Sequence, residues 1–402
     1  MSTRRVLFIS RCPAWPLTLG DRLIVYHLAR ELQARGTAID LLAHYPHASE
    51  LAVEQGYLAH YERFFASVSL IPEPARPARS LLWRALAHGQ RFPRQAAGAW
   101  SSAMWAAIRA QLTRQTYDAI HLFGGVQVYE YFHALAGQPA VITPYESYTL
   151  YLQRAFSASH RPADWLRGQI ARHYERFMFA PYDAVVVLAE ADRALLQRLN
   201  PRLPLTVIPN GVVLPAAPTA VRSPATLIFV GNYEYAPNVE AAHLLAEIIL
   251  PEVSKRCAAA RLILVGQAPP HSIRALAGPH VTVTGYVPDI TPYLQEAAVF
   301  VSPLRVGAGL KNKILEALAH GLPVVATPVS VDGIAVQHEH SALVGDVHEL
   351  ATLTTRLLAD EALQTRLSDS GRALVEQRYS WGAVAEAYLR LYAAPGRRAP
   401  HR

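Results

Sequence analysis

The stretch 303–328, PLRVGAGLKNKILEALAHGLPVVATP, reads as three elements in succession. It continues AVFVSP (298–303), a short unbroken apolar run of the kind found in strands covered on both faces. Gly307 and Gly309 then remove side chains and permit positive φ, so the backbone here can approach a ligand closely. Around Lys311 the pattern becomes helical: Leu310, Ile314, Leu315 and Leu318 form one stripe, and Gly321 supplies the stop. PVVATP is strand again, and strand, loop, helix, strand is the repeating unit of a parallel α/β sheet. A glycine loop that feeds a helix N-terminus favours an anion, because free amides and the helix dipole both attract negative charge.

Lysine use sharpens this reading. The chain has 38 basic residues, yet only Lys255, Lys311 and Lys313 are lysines, and two of the three lie in this stretch. An ammonium is a compact charge with rotatable donors, suited to phosphate oxygens. Glu316, roughly one turn deeper, offers oxygens that can accept two hydrogen bonds from a vicinal diol such as ribose. The plainer alternative is a pair of solvated first-turn lysines beside a surface acid. Against it stands the scarcity of lysine elsewhere, since arginine would be solvated equally well.

Further runs of the same type extend along the chain. RVLFIS, AIDLLA, SVSLIP, DAIHLF, PAVIT, DAVVVLA and LTVIP precede residue 210, and TLIFVG, ARLILVG, VTVTG and ALVGD join the opening stretch after residue 225. Helical patterns lie between them, such as RLIVYHLARELQARG, where Leu23, Tyr26, His27, Arg30 and Glu31 ride on helical spacing and Gly36 ends the helix. The segment 208–226, IPNGVVLPAAPTAVRSPAT, lacks periodicity and reads as a linker. A restart of βα units after it predicts two similar α/β domains: 1–208, completed by a returning C-terminal helix at 380–402, and 209–379. A chain of 402 residues is too long for one ordinary core, which agrees.

Composition narrows the setting. No apolar stretch reaches the roughly 18 residues needed to span a bilayer. Cys12 and Cys257 offer neither a disulfide framework nor a metal spacing, which predicts a reducing, cytoplasmic location. MSTRRVLFIS is read as no signal peptide, because Arg11 and Pro13 cut its apolar run short. A net charge of +7 suggests anionic partners. Nucleic acid is not expected, since no recognised nucleic-acid motif accompanies the one basic stripe.

That stripe runs from Pro74 to Tyr117. It has no acidic residue, carries Arg76, Arg79, Arg84, Arg91, Arg94, Arg109 and Arg114, and interleaves Trp83, Trp100 and Trp105. Arginine with tryptophan on amphipathic helices suggests contact with an anionic membrane surface, at the inner face of the membrane. The alternative is a helix pair that covers the sheet, with solvated arginines.

Taken in order, GAGLKNKILEALAHGLPVVATPVSVDGI, VIPNGV, LIFVGNYEYAPNVEAAHLLAEIILPEV and VTVTGYVPDITPYLQEAAVFVSPLRVGAGLKNKILEA resemble the second domain of the family 4 retaining glycosyltransferases. PLTLGDRLIVYHLARELQARG and YSWGAVAEAYLRLY are similar to the N-terminal loop and closing helix of exopolysaccharide-type members. The resemblance implies the GT-B fold, with two Rossmann-like domains facing across a cleft. It implies a nucleotide-diphosphate sugar on the second domain and a glycan or lipid-linked glycan acceptor on the first. The sugar would move with retention of configuration, with cell-surface polysaccharide synthesis as the setting. No metal or other cofactor is implied, and no Asp-x-Asp motif stands at a strand end.

Two departures stand out. Many members carry two glutamates seven residues apart; the second matches Glu316, and the first position is Ala308. Many members also place Arg and Lys after the first strand of the second domain, where this chain has GNYEYAPN. Arg22, Arg305, Lys311 and Lys313 then remain as diphosphate partners, with Gly20, Gly307 and Gly309 allowing close backbone approach. His121, at a strand exit, is a candidate for a sugar hydroxyl contact, and Glu146, at the next, for orienting or deprotonating the acceptor hydroxyl. Readings with the same domains but other functions are a non-catalytic nucleotide-sugar-binding scaffold and a nucleotide-sugar epimerase.

Overall fold

The computed structural model describes residues 4–17, 20–45, 58–61, 63–75, 91–215, 223–307 and 310–393. The chain divides into two compact units: Met1–Phe156 with His160–Gly211 and Trp381–Arg402, and Ser157–Ser159 with Val212–Ser380.

The first unit is built on β1 (Arg5–Ser10), β2 (Ala38–Tyr45), β3 (Ser67–Pro72), β4 (Ala119–Phe123), β5 (Ala140–Tyr145), β6 (Ala184–Val187) and β7 (Leu205–Val207). All pairs are parallel, in the order β3-β2-β1-β4-β5-β6-β7. Val6, Leu7, Phe8 and Ile9 are all fully buried, which is why β1 reads as a continuous apolar run. β3 alternates exposed and covered residues because it lies at the sheet edge.

Helix α1 (Gly20–Ala34) buries Ile24, Val25, Leu28, Ala29 and Leu32. This stripe differs from the set Leu23, Tyr26, Arg30 that also fits helical spacing; the wider apolar arc wins the core. Gly36 follows at φ 80°, a left-handed turn residue. The other helices used below are α2 (Ser102–Arg114), α3 (Tyr148–Ser159) and α4 (Pro162–Met178).

The second unit holds β8 (Thr226–Val230), β9 (Arg261–Val265), β10 (Val281–Gly285), β11 (Val299–Ser302), β12 (Val324–Ala326) and β13 (Leu343–Val344), parallel in the order β10-β9-β8-β11-β12-β13. α5 (Ala236–His243) runs on through a π-helical turn, Leu244–Ile249, into Leu250–Ser254. α6 (Asn312–Ala319) buries Ile314, Leu315 and Leu318, as its stripe predicts, and Gly321 ends it at φ 62°. α7 (Trp381–Ala393) belongs to the first unit and packs on α1, where the Trp381 and His27 rings stack at 5.1 Å.

The 74–117 segment is described from residue 91 onwards; Arg76, Arg79, Trp83 and Arg84 lie outside the described residues. In the described part, three of the side chains named for the membrane expectation have contacts within the fold. Trp105 is buried in the core beneath α2 with Met104 and Ile108. Arg91 is also buried, bonded to His173 Nε2 at 2.9 Å and lying over the Phe177 ring. Trp100 donates its indole N–H to Pro74 O. Arg94, Arg109 and Arg114 are exposed, and α2 buries Met104, Trp105 and Ile108.

Candidate active site

In each sheet the strand order reverses once: between β1 and β4, and between β8 and β11. Ligands of open parallel sheets bind beyond the strand ends at such points. In the second unit the two loops concerned are 231–235 and 303–311.

A buried hydroxyl cluster fixes the exit of β11. Ser330 Oγ donates to Ser302 O at 2.8 Å, and Thr327 Oγ1 donates to Leu304 O at 2.6 Å. These bonds hold Pro303 and Leu304 in place and aim the chain into the glycine loop. Gly307 has φ 153°, and a Cβ there would lie 3.1 Å from Lys311 Cε and 3.3 Å from its Nζ. The backbone conformation therefore favours glycine, and any Cβ would make the lysine side chain folded over it shift by a few tenths of an ångström. The Tyr235 hydroxyl, from the other loop, would be 3.6 Å from that same Cβ. Ala308 and Gly309 lie outside the described residues.

Lys313 occupies the first turn of α6. Its Nζ donates to Asn238 Oδ1 at 2.7 Å and sits 4.2 Å from the centroid of the Phe229 ring. Burial first, and the neighbouring Lys311 ammonium second, push its pKa down to about 7; Glu316 opposes both. Glu316 is half-buried, and its carboxyl is pushed up to about 7 by burial, against the pull of Lys313. Its carboxylate makes no hydrogen bond among the described residues. The site thus brings together a cation and an acid that are each costly to ionise without a partner. Lys311 is half-buried beside Gly307. Arg305 is exposed and ion-paired with Glu240 at 2.9 Å. Asn238 and Phe229, which hold Lys313, were not among the expected site residues; an asparagine inside the first turn of a helix was their only signal in the sequence.

The first unit places its candidates differently. Gly20 opens α1, and the next residue, Asp21, is ion-paired with Arg11. Arg22 is buried and donates to Trp15 O at 2.7 Å, so its guanidinium braces the loop after β1. His121 is fully buried, with Nδ1 2.6 Å from Tyr392 Oη and Nε2 2.8 Å from Thr143 Oγ1. Both ring nitrogens are occupied by β5 and α7, and burial holds the imidazole pKa well below its usual value. The ring therefore has a different part from the sugar contact expected of it. Glu146 is exposed at the exit of β5. The turn that carries it is fixed from behind: the buried Glu175 of α4 accepts hydrogen bonds from Ser147 Oγ and from the backbone N–H groups of Tyr148 and Thr149. Its preceding residue, Tyr145, has φ 72°, and the Arg11 guanidinium lies over the Tyr145 ring.

Two α/β units of this topology, with an anion-favouring glycine loop at the switch point of the second, fit the class of proteins that bind a phosphate-bearing ligand there. Comparison with known proteins agrees. Residues 23–214 match the model of glycosyltransferase family 4, and residues 224–360 match that of the group 1 glycosyl transferases. The chain belongs to the family 4, group 1 glycosyltransferases.

Among curated relatives, it is 32% identical over 117 residues to a lipopolysaccharide core biosynthesis glycosyltransferase, LpsE, of Rhizobium meliloti. That match covers 28% of this chain and 34% of the relative. It is also 32% identical over 153 residues to a GDP-mannose-dependent alpha-(1-6)-phosphatidylinositol monomannoside mannosyltransferase of Mycobacterium tuberculosis, covering 34% of this chain and 40% of that one. The chain thus spans between 34% and 40% of the length of these relatives. The fold is that of sucrose-phosphate synthase from Thermosynechococcus elongatus, with a TM-score of 0.69 at 19% identity over 98% of this chain and 100% of that one. Anabaena HepE, solved with UDP-glucose, gives 0.63 at 15% identity over 97% of this chain and 100% of HepE. The fold is GT-B.

Proposed function

We propose that the protein is a retaining glycosyltransferase that moves a sugar from a nucleotide-diphosphate donor to a glycan or lipid-linked glycan, in the synthesis of a cell-surface polysaccharide or glycolipid. The donor diphosphate is assigned to the 303–313 loop, Lys311 and Lys313, and the ribose to Glu316. The observation that carries this is the pair Lys313 and Glu316 at the switch point: each is held where ionisation is disfavoured until a ligand supplies the opposite charge or the hydrogen bonds it lacks. Charge grows on the leaving diphosphate during transfer, and a preorganised ammonium stabilises that growth. Glu146, exposed at the exit of β5, is assigned to the acceptor hydroxyl. Arg305 is a further diphosphate partner once it leaves Glu240. No metal has a part in this reading, since the loop amides and lysines carry the diphosphate charge.

The relatives support the donor and acceptor classes: HepE is described with UDP-glucose, and the two curated relatives act in lipopolysaccharide core and phosphatidylinositol mannoside synthesis. The test is a thermal-shift screen of UDP-, GDP-, ADP- and dTDP-sugars, followed by transfer assays with the hit. A donor at a hundredfold over its Kd adds about 2.7 kcal/mol of stability. Lys313→Ala is expected to lower kcat by about 100-fold, as for loss of one preorganised donor. Equal transfer by Lys313→Ala and the parent protein would remove Lys313 from the reaction.

A further inference from the structure

The amide of Asn238 stands between the backbone and the Lys313 ammonium. Its Nδ2 donates to Asn232 O at 2.7 Å, and its Oδ1 accepts from Lys313 Nζ at 2.7 Å. The first bond fixes the second. Turned over, the amide would aim its NH2 at the ammonium and its oxygen at a carbonyl, losing both bonds. The residue is buried, and room for it is made by Gly231, where a Cβ would lie 2.9–3.2 Å from the Asn238 side chain. Gly231 is itself pressed against Gly266, where a Cβ would meet Gly231 O at 1.7 Å. Gly231 after β8, Gly266 after β9 and Asn238 in the first turn of α5 are thus packed to bring one oxygen to one ammonium.

That ammonium has three donors. One goes to Asn238, and the Phe229 face lies against another side, so a donor remains for a ligand. The loop 231–235 itself has no lysine or arginine. We propose that Asn238 is a positioning residue for Lys313: it takes one donor of the ammonium, pins it over Phe229, and so directs the remaining charge to the donor diphosphate. This rests on the diphosphate reading above.

The charged groups acting on Lys313 are Lys311 and Glu316 of its own segment. The groups facing it from β8 and α5 are uncharged, the Phe229 ring and the Asn238 amide. A neutral oxygen acceptor supports the protonated form only modestly, consistent with an ammonium that gives up its proton near neutral pH. A diphosphate would restore it, so binding takes up a proton and weakens as pH rises above about 7.

With only three lysines in the chain, isotope-labelled lysine gives three side-chain signals, assignable from Lys255→Arg and Lys311→Arg. Their titration in the ligand-free protein is the first arm of the test. Asn238→Asp is expected to raise the Lys313 midpoint by about one unit or more, and the near-isosteric Asn238→Leu to lower it. In the second arm, the Kd of whichever of UDP, GDP and ADP binds the parent protein is measured across the same pH range. Asn238→Leu should weaken it by about tenfold or more at pH 8, with the pH limb displaced downwards. Should Asn238→Leu not fold, Asn238→Ser and Asn238→Asp carry both arms.

If the variants change melting temperature but leave the Lys313 midpoint and the pH limb in place, Asn238 only holds the loop and the proposal is overturned. If midpoints move and nucleotide affinity does not, Lys313 is positioned for something other than a diphosphate, which also overturns it. If none of the three nucleotides binds the parent protein, the donor reading itself has failed, and the lysine titration still reports the Asn238–Lys313 contact separately.

Discussion

Tyr392 and His121 are 271 residues apart in sequence, and the hydroxyl of one lies 2.6 Å from Nδ1 of the other. The contact joins α7 to the centre of the first sheet, and Thr143 on β5 takes the second ring nitrogen. A neutral imidazole has one donor and one acceptor, and a hydroxyl can serve either, so both nitrogens are satisfied without charge. With His27 stacked on Trp381 at the other end of α7, two buried histidines hold the returning helix to the first unit.

This arrangement predicts acid sensitivity. Burial lowers the pKa of His121 far below 6.5 and that of His27 to about 4. The unfolded chain therefore takes up protons below about pH 6.5 that the folded chain does not. Stability is fully present above that pH and falls as pH drops, by about 1.4 kcal/mol per unit for each group. Urea unfolding followed from pH 7.5 to 5 should show this slope, and His121→Gln with His27→Gln should flatten it. Tyr392→Phe should cost about 1–3 kcal/mol at pH 7 by stranding a buried ring nitrogen. An unchanged slope in the double variant would exclude the two histidines as its source.

The part of the basic segment around α2 has a core role, and substitutions should report it. Trp105→Ala empties a buried indole volume and is expected to cost about 3–5 kcal/mol. Arg94→Gln and Arg109→Gln, both at exposed positions, should stay within about 0.5 kcal/mol. Denaturant midpoints of the three variants decide it. Near-equal values would mean that the tryptophan is not packed as described.

The strands were legible because parallel strands covered on both faces must be apolar at every position. Each observed strand falls on a run such as RVLFIS or AVFVSP. The glycine-loop helix was legible for a related reason: Ile314, Leu315 and Leu318 share one face if the segment is helical, whereas Leu310 is buried just before the helix begins. Side-chain partners were not legible. Arg22 bracing Trp15 O and His121 meeting Tyr392 depend on long-range packing that periodicity does not encode. The burial of Trp105 was not legible for the same reason, since an amphipathic pattern with arginines fits a membrane surface or a sheet. Asn238 escaped notice because its function depends on Gly231, seven residues earlier and across a turn.

The two glycines beneath that turn are predicted to be intolerant of substitution. Gly266 has φ 146°, and a Cβ there would collide with Gly231 O. That atom belongs to the backbone, so relief requires two strands' exit loops to separate. Gly266→Ala should cost about 3 kcal/mol, as for a severe overpacking change. It should weaken nucleotide binding as well, because the displaced loop leads into α5 and packs on Asn238. Gly278→Ala, where a Cβ meets nothing within 4 Å, is the control. Comparable melting temperatures for the two variants would contradict the packing.

Glu316 supplies the last prediction, in which stability and binding move in opposite directions. Its carboxyl is raised to about 7, chiefly by burial. The folded ligand-free protein thus holds a proton that the unfolded chain releases near pH 4.5. For an acid raised in this way, the stabilising contribution is complete below the unfolded value and is lost as pH rises through the folded one. Above pH 7 the buried carboxylate is a net cost. Glu316→Gln removes that cost and should raise the stability of the ligand-free protein at pH 8, by about 1 kcal/mol after discounting for partial exposure, with no gain at pH 4.5. Donor binding should change the other way. The amide lacks the two acceptor oxygens assigned to the ribose, and that group does not change charge during transfer. The donor KM should therefore rise with kcat nearly unchanged, the mark of uniform binding. Melting curves at the two pH values and a donor KM at pH 8 test both halves. A variant that is less stable at pH 8, with an unaltered KM, would place Glu316 in the scaffold of α6 and leave the ribose to other groups.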